Sequence, residues 1–94
     1  MSTFTVSSII DGDTFEVSPQ WKWKGNTGNR VRPTGYNAPE LHAYGGQSAK
    51  LELARLIQGQ QVDLHAAHKV DRGRLICDVY IKKRNLADYF PAYQ

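Results

Sequence analysis

Period-two alternation through the first third of the chain, a switch to helical period after Gly45-Gly46, and two further alternating stretches together predict a mainly β, α+β fold. In that order the elements suit a five-stranded OB-fold barrel with a helix between strands 3 and 4 and a short C-terminal helix. A small open α+β sheet would give the same string of elements. With 94 residues the chain is long enough for one small core, so residues 1–94 are expected to form a single domain.

Each element has its own local reason. From Thr3 to Ile10, Phe4, Val6 and Ile10 fall on one side of the alternation, Asp11-Gly12 supplies a turn, and Thr14, Phe15 and Val17 resume the pattern, which predicts a hairpin. Trp21 and Trp23 then alternate with Lys22 and Lys24, and the cluster Gly25 to Asn29 predicts a second turn into Arg30-Val31-Arg32. Past Gly45-Gly46, Ala49, Leu53 and Leu56 recur at helical spacing, with Lys50, Glu52 and Arg55 on other faces, and Gly59 supplies a stop. Gln61 to His65 and Leu75 to Ile81 read as strands, and Asn85 as the cap of a short helix through Tyr89.

Bulk properties bound the function without fixing it. Twelve Lys and Arg against nine Asp and Glu give a net charge of +3, a mild excess that permits a polyanionic partner and equally suits a plain solvated surface. A lone cysteine, Cys77, excludes an internal disulfide and, within an apolar run, reads as buried filler. Met1 to Ile10 has no basic start and no apolar stretch long enough for a signal peptide, and no later segment could span a bilayer as a helix. These features predict a soluble, cytoplasmic chain with no membrane partner, unless a leader was removed.

The chemistry is concentrated in Asp11-Gly12-Asp13-Thr14, Arg32, Asn37-Ala38-Pro39-Glu40 and Asp71-Arg72-Gly73-Arg74. Carboxylates can hold a hard divalent cation, a separate carboxylate can orient or deprotonate water, and two arginines can clamp a phosphodiester. With Arg30-Val31-Arg32, Gly46-Gln47-Ser48-Ala49 and Asn85-Leu86 in the same order and spacing, the chain resembles the staphylococcal nuclease (thermonuclease-like) family over residues 6 to 90. The resemblance implies an OB barrel and calcium-dependent hydrolysis of phosphodiester bonds in DNA or RNA, with single strands favoured. By matching position it implies a metal set of Asp13, Asn37 and Ala38, phosphate binding by Arg32 and Arg74, and Glu40 as general base or orienter of the attacking water. For Asp11 a supporting role beside the metal is expected rather than direct ligation.

Three departures from the family pattern carry consequences. Asn37 stands where the family usually has a second metal-binding aspartate; its amide oxygen can coordinate but brings no charge, so calcium affinity should fall, each tenfold loss being about 1.4 kcal/mol. A tyrosine is missing between Arg72 and Gly73, a one-residue shortening expected to tighten the turn and to hinder Arg74 from reaching the phosphate. The family's domain usually continues into a further helix beyond the position of Gln94, and its absence would leave a smaller core with a face for a partner to cover. The runner-up function is therefore an OB-fold nucleic-acid-binding module with little or no catalysis, and a third is an interaction domain whose acid and arginine cluster is structural.

Other clusters have a bland and a sharp reading. Trp21 and Trp23 between lysines could stack bases, as could Tyr36 and Tyr80, or could simply be half-buried strand aromatics. His65, His68 and Asp63 have a spacing that invites a zinc test, but no helix aligns the two rings and no cysteine pair completes a site, so surface histidines are expected. Lys82-Lys83-Arg84 reads as a solvated turn that could also touch phosphates.

Overall fold

The computed structural model describes residues 3–94; the first two positions of the 1–94 unit lie outside them. Strands β1 (Thr3–Asp11), β2 (Thr14–Trp23) and β3 (Asn26–Pro33) precede helix α1 (Gly46–Ile57), and β4 (Gln61–Asp71), β5 (Arg74–Ile81) and the two-residue β6 (Arg84–Asn85) follow it. Antiparallel pairing orders the sheet β3-β2-β1-β4-β5, and a parallel pairing of β3 with β5, Arg30 opposite Arg74 and Pro33 opposite Cys77, closes it. The result is a five-stranded mixed barrel of OB type, with α1 between the third and fourth strands as the sequence predicts. The open-sheet alternative is excluded by that closing pair.

Inward residues of every strand meet in one core. β5 shows the principle in its simplest form, Leu75, Cys77, Val79 and Ile81 being buried while Arg74, Ile76, Asp78 and Tyr80 face outward. Burial pushes the Cys77 thiol up to about 12, so it sits in the core as a small apolar side chain. On α1 the buried stripe is Ala49, Leu53 and Ile57. The expected Leu56 is only partly buried, because the helix turns its four-residue spacing rather than its three-residue one toward the barrel.

Irregularities in the strands account for the other differences. A register shift between Val6 and Ser8 moves the inward position of β1 to Ile9, so Ile10, expected inward, is not part of the core. The second turn is Lys24-Gly25, both left-handed, and not the Gly25 to Asn29 cluster, whose last four residues belong to β3. This two-residue turn matches strand twist better than a longer loop. β4 runs on to Asp71 rather than ending at His65, because the left-handed Ala66 absorbs a bulge and pairing resumes at Lys69. Asn85 caps the last segment as expected, its side chain accepting from Ala87 N at 2.9 Å, but the helix it starts, Leu86–Tyr89, is of the 3-10 type and is followed by another, Pro91–Tyr93.

Lys82-Lys83 makes the turn between β5 and β6 with φ of 51° and 67°, a conformation costly for residues with a Cβ. Replacing the pair by Asn-Gly should stabilise the protein by about 1 kcal/mol, read as a higher urea midpoint with unchanged slope. A lowered midpoint would mean that the two lysines contribute contacts outweighing the backbone strain.

Candidate active site

Two turns and two strand starts meet at one end of the barrel. β1 ends at Asp11, which pairs with Thr14, leaving Gly12-Asp13 as the connecting turn. Asp11 Oδ1 accepts from Asp13 N at 3.1 Å, which fixes the turn. A Cβ on Gly12 would lie 2.6 Å from that of Ala38 and 2.7 Å from that of Ala49, so only glycine lets the turn press against the 37–40 segment and α1. From the other side the Tyr36 hydroxyl donates to Gly12 O at 2.9 Å.

Tyr36 begins an aromatic ladder. Its ring stacks on Phe90 with centroids 5.0 Å apart, and Phe90 stacks on Tyr93 at 6.1 Å. Asn37 N donates to Tyr93 O at 2.9 Å, so the final 3-10 turn holds the segment that carries Asn37 to Glu40. Burial first, then the charges of Asp13 and Asp11, push the Tyr36 hydroxyl far above its ordinary 10.0 and keep it a donor.

The cleft that results has a volume of about 300 Å³ and is lined by Asp11, Asp13, Arg32, Asn37, Ala38, Glu40, Arg72 and Arg74. All six residues singled out from the sequence as catalytic or metal-binding are in it. Asp13 is 8% exposed, and its Oδ2 accepts from Arg32 Nη2 at 3.1 Å and from Ala38 N at 3.2 Å. The same Arg32 Nη2 also donates to Asn37 Oδ1. Two oxygens from separate segments thus converge on a single cationic nitrogen.

The arginines differ in how they are held. Arg32 Nε is buried and, among the described residues, has no acceptor, an under-satisfied donor of the kind an incoming anion or water would complete. Arg74 opens β5 directly after the left-handed pair Arg72-Gly73, and its guanidinium is steadied by Asp71 O and Oδ2, each at 3.3 Å. The tight turn therefore leaves the Arg74 side chain in the cleft and brings Arg72 in with it. Sequence reading quoted Arg72 within its motif without giving it a place in the site; its position at the tip of a two-residue turn, two ahead of Arg74, was the available signal.

Glu40 is exposed, lines the cleft and takes part in no side-chain hydrogen bond or ion pair among the described residues. Its backbone carbonyl accepts from Ala43 N at 2.9 Å, and Gly46 N donates to Ala43 O at 3.0 Å, so successive turns lead from Glu40 into α1. The side chain is free while its backbone is fixed. That combination suits a group that must exchange a proton with something entering the cleft.

Asp11 registers the crowding of acids. Burial, together with the nearby Asp13 carboxylate, raises its carboxyl above the usual 3.8. An acid raised on folding imposes no cost below pH 3.8, where both states are protonated, and imposes its full cost once pH exceeds the folded value. Asp11→Asn, which keeps an oxygen to accept from Asp13 N, should therefore raise the thermal midpoint at pH 7 and lose that advantage below about pH 3.8. An equal gain at both pH values would assign the effect to something other than ionisation.

The remaining clusters lie elsewhere. Trp21 is 1% exposed, with Nε1 donating to Arg30 O at 2.8 Å, which corrects the base-stacking reading for that ring: it is core, and truncating it would cost about 3–5 kcal/mol. Trp23 is partly buried beneath Lys24, whose Nζ is 4.8 Å from the ring centroid. His65 meets the edge of Tyr80 at 4.9 Å, His68 Nε2 is 3.3 Å from Asp78 Oδ1, and Asp63 Oδ1 accepts from Thr3 Oγ1 at 2.7 Å, so the three engage different partners. The Thr34 hydroxyl, and then His68, hold the Asp78 carboxyl below the ordinary 3.8.

Donor chemistry decides how well the cleft suits a divalent cation. Asp13, Asn37 and, through its backbone carbonyl, Ala38 are oxygen donors of the hard type, and two of them already converge on a cation, Arg32. Among the described residues no group of three His, Cys, Asp or Glu side chains is arranged to hold a metal, so the amide, backbone and water oxygens would have to make up the set. No helix among the described residues is long and apolar enough to cross a membrane. No protein-family model and no curated protein matches the chain.

Proposed function

We propose that this barrel is a nuclease domain of the staphylococcal nuclease kind, hydrolysing phosphodiester bonds of single-stranded DNA or RNA with the help of a divalent cation such as calcium. The observation that carries the reading is the single cleft in which Asp11, Asp13 and Glu40 face Arg32, Arg72 and Arg74, three acids against three arginines. A cleft serving only as an ion-pair cluster would pair its members; among the described residues Glu40 has no partner, and Arg32, though paired to Asp13 through Nη2, has none for its Nε.

Arg32 and Arg74 bind the non-bridging oxygens of the phosphodiester, and their guanidinium forks answer the extra negative charge of the transition state. Glu40 takes the proton of the attacking water, or orients that water, from the open side of the cleft. Asp13, Asn37 and the Ala38 carbonyl would hold the cation, which supplies Lewis-acid polarisation of a phosphoryl oxygen when bound. Arg32 must loosen its grip on Asp13 Oδ2 and Asn37 Oδ1 for both cation and phosphate to be accommodated, and it gains phosphate oxygens in exchange.

A second reading is favoured by one specific residue. With an amide at position 37 and Arg32 seated between the two oxygens, cation capture is weakened, and the domain would bind nucleic acid without efficient turnover. The deciding experiment is cleavage of end-labelled single- and double-stranded substrates, with calcium titrated against chelator, on the wild type beside Asn37→Asp. The nuclease reading expects calcium-dependent cleavage by the wild type and a calcium requirement lowered by about tenfold or more in Asn37→Asp, because a carboxylate replaces a neutral ligand. Salt-sensitive binding without cleavage in either protein would establish the binding module instead. Absence of both binding and cleavage at low salt leaves only the interaction domain.

A further inference from the structure

Bordering the same 37–40 segment as the acid and arginine cleft is a second concavity of about 630 Å³, lined by Pro39, Ala43, Tyr44, Gln47, Ser48 and Tyr93 among others. Pro39 belongs to it and Glu40 to the first cleft, so the two are separated by one short stretch of backbone. Tyr44 is the anomaly here: it is 102% exposed, so its ring contributes no burial to the fold. It is not on a slack loop either, for the turns closed by Ala43 N to Glu40 O at 2.9 Å and Gly46 N to Ala43 O at 3.0 Å bracket it on both sides. A large aromatic ring held in water by an ordered turn is a surface feature that the barrel does not need.

The groove's lining suits one kind of ligand. Tyr44 offers a flat π face, Tyr93, the outer rung of the ladder through Phe90 to Tyr36, adds a second ring to the lining, and Gln47 and Ser48 supply an amide and a hydroxyl able to hydrogen-bond a base edge. There is no basic residue among the lining, so the phosphate charge must be met elsewhere, and the cleft one residue along the 37–40 segment supplies arginines for it. Stacking in one concavity beside phosphate binding in its neighbour is how single strands are held with little sequence preference.

We infer that the Tyr44 groove is a nucleobase subsite, which takes an unpaired base flanking the phosphate held by Arg32 and Arg74 and so selects single-stranded over double-stranded nucleic acid. The inference rests on the nucleic-acid reading of the cleft, and its ligand is a single strand rather than a peptide or a second copy of the chain. A paired base cannot expose its face to the ring without leaving the duplex.

The test compares a short single-stranded oligonucleotide with an abasic strand of equal length and phosphate number, followed by fluorescence anisotropy in chelator so that neither is cut. Wild type, Tyr44→Ala and Tyr44→Trp are measured at low salt. Tyr44→Ala should bind the base-bearing strand about fivefold or more weakly, the smallest effect expected from loss of one stacked base, with abasic binding unchanged; Tyr44→Trp should bind like wild type or tighter. Equal binding of the base-bearing strand by wild type and Tyr44→Ala overturns the subsite while leaving the phosphate cleft and its nuclease reading intact. Failure of all three proteins to bind either strand overturns the subsite and, where calcium gives no cleavage either, the nuclease reading as well. A dimer of the wild type, seen by sedimentation and lost in Tyr44→Ala, would overturn the subsite by assigning the groove to a second copy of this chain.

Discussion

Glu40→Gln should abolish metal-dependent cleavage, lowering the rate by about 10²–10⁴-fold, while leaving the thermal midpoint where it was. The asymmetry follows from the position of the side chain. Glu40 is exposed and has no side-chain partner among the described residues, and surface substitutions of that type usually change stability by less than about 0.5 kcal/mol. Gln keeps the size and hydrogen-bonding capacity of the side chain but cannot accept a proton at neutral pH, so the variant removes one chemical ability and little else. Arg32→Ala is a poorer probe, because it also strips the charged partner from Asp13 and a donor from Asn37, so activity and stability should fall together. Rates for Glu40→Gln equal to wild type would show that Glu40 is not the base, and equal rates in Arg32→Ala as well would trace the cleavage to a contaminant.

How much of this site could be read from the chain depends on what each residue needs in order to be placed. Asp13, Arg32, Asn37, Glu40 and Arg74 are picked out by motifs whose order and spacing resemble the staphylococcal nuclease pattern, and the barrel needs only its strand order to bring those motifs into one cleft. The inward face of β5 was legible for the same reason, a strict alternation with no bulge. Where a single residue is inserted into a strand, alternation reverses with no local sign. The shift between Val6 and Ser8, which swaps Ile10 for Ile9, and the left-handed Ala66, which lets β4 run past His65, are both of this kind. Trp21 and Trp23 illustrate a further limit: both alternate with lysines, yet one is sealed in the core and the other, the last residue of β2 beside the Lys24-Gly25 turn, is only half covered. Tyr44 was illegible because nothing local distinguishes a ring presented to solvent from one that packs.

Gly46 poses the sharpest conflict between local preference and tertiary geometry, and its substitution should have a large effect on folding. In the sequence Gly45-Gly46 reads as a break before a helix; in the structure Gly46 is already the first residue of α1 and is buried. Replacing a helical glycine by alanine in an open helix gains about 1 kcal/mol. Here a Cβ would lie 1.9 Å from Glu40 O and 2.7 Å from Leu41 O, overlaps with backbone atoms that no rotamer change can relieve. Overpacking of ordinary cores costs about 1–3 kcal/mol and sometimes more, and a collision with fixed backbone belongs at the upper end. Gly46→Ala should therefore lower the thermal midpoint by about 12–24 °C, taking roughly 3 kcal/mol at about 4–8 °C per kcal/mol for a domain of this size. The same displacement moves Glu40 away from Arg32 and Arg74, so cleavage should be lost even at temperatures where the barrel remains folded. Gln47→Ala, at the next and exposed position of the helix, serves as the control and should shift the midpoint little. A Gly46→Ala protein as stable as wild type would mean that the 40–41 backbone yields freely, and the idea that α1 holds Glu40 in position through this contact would have to be given up.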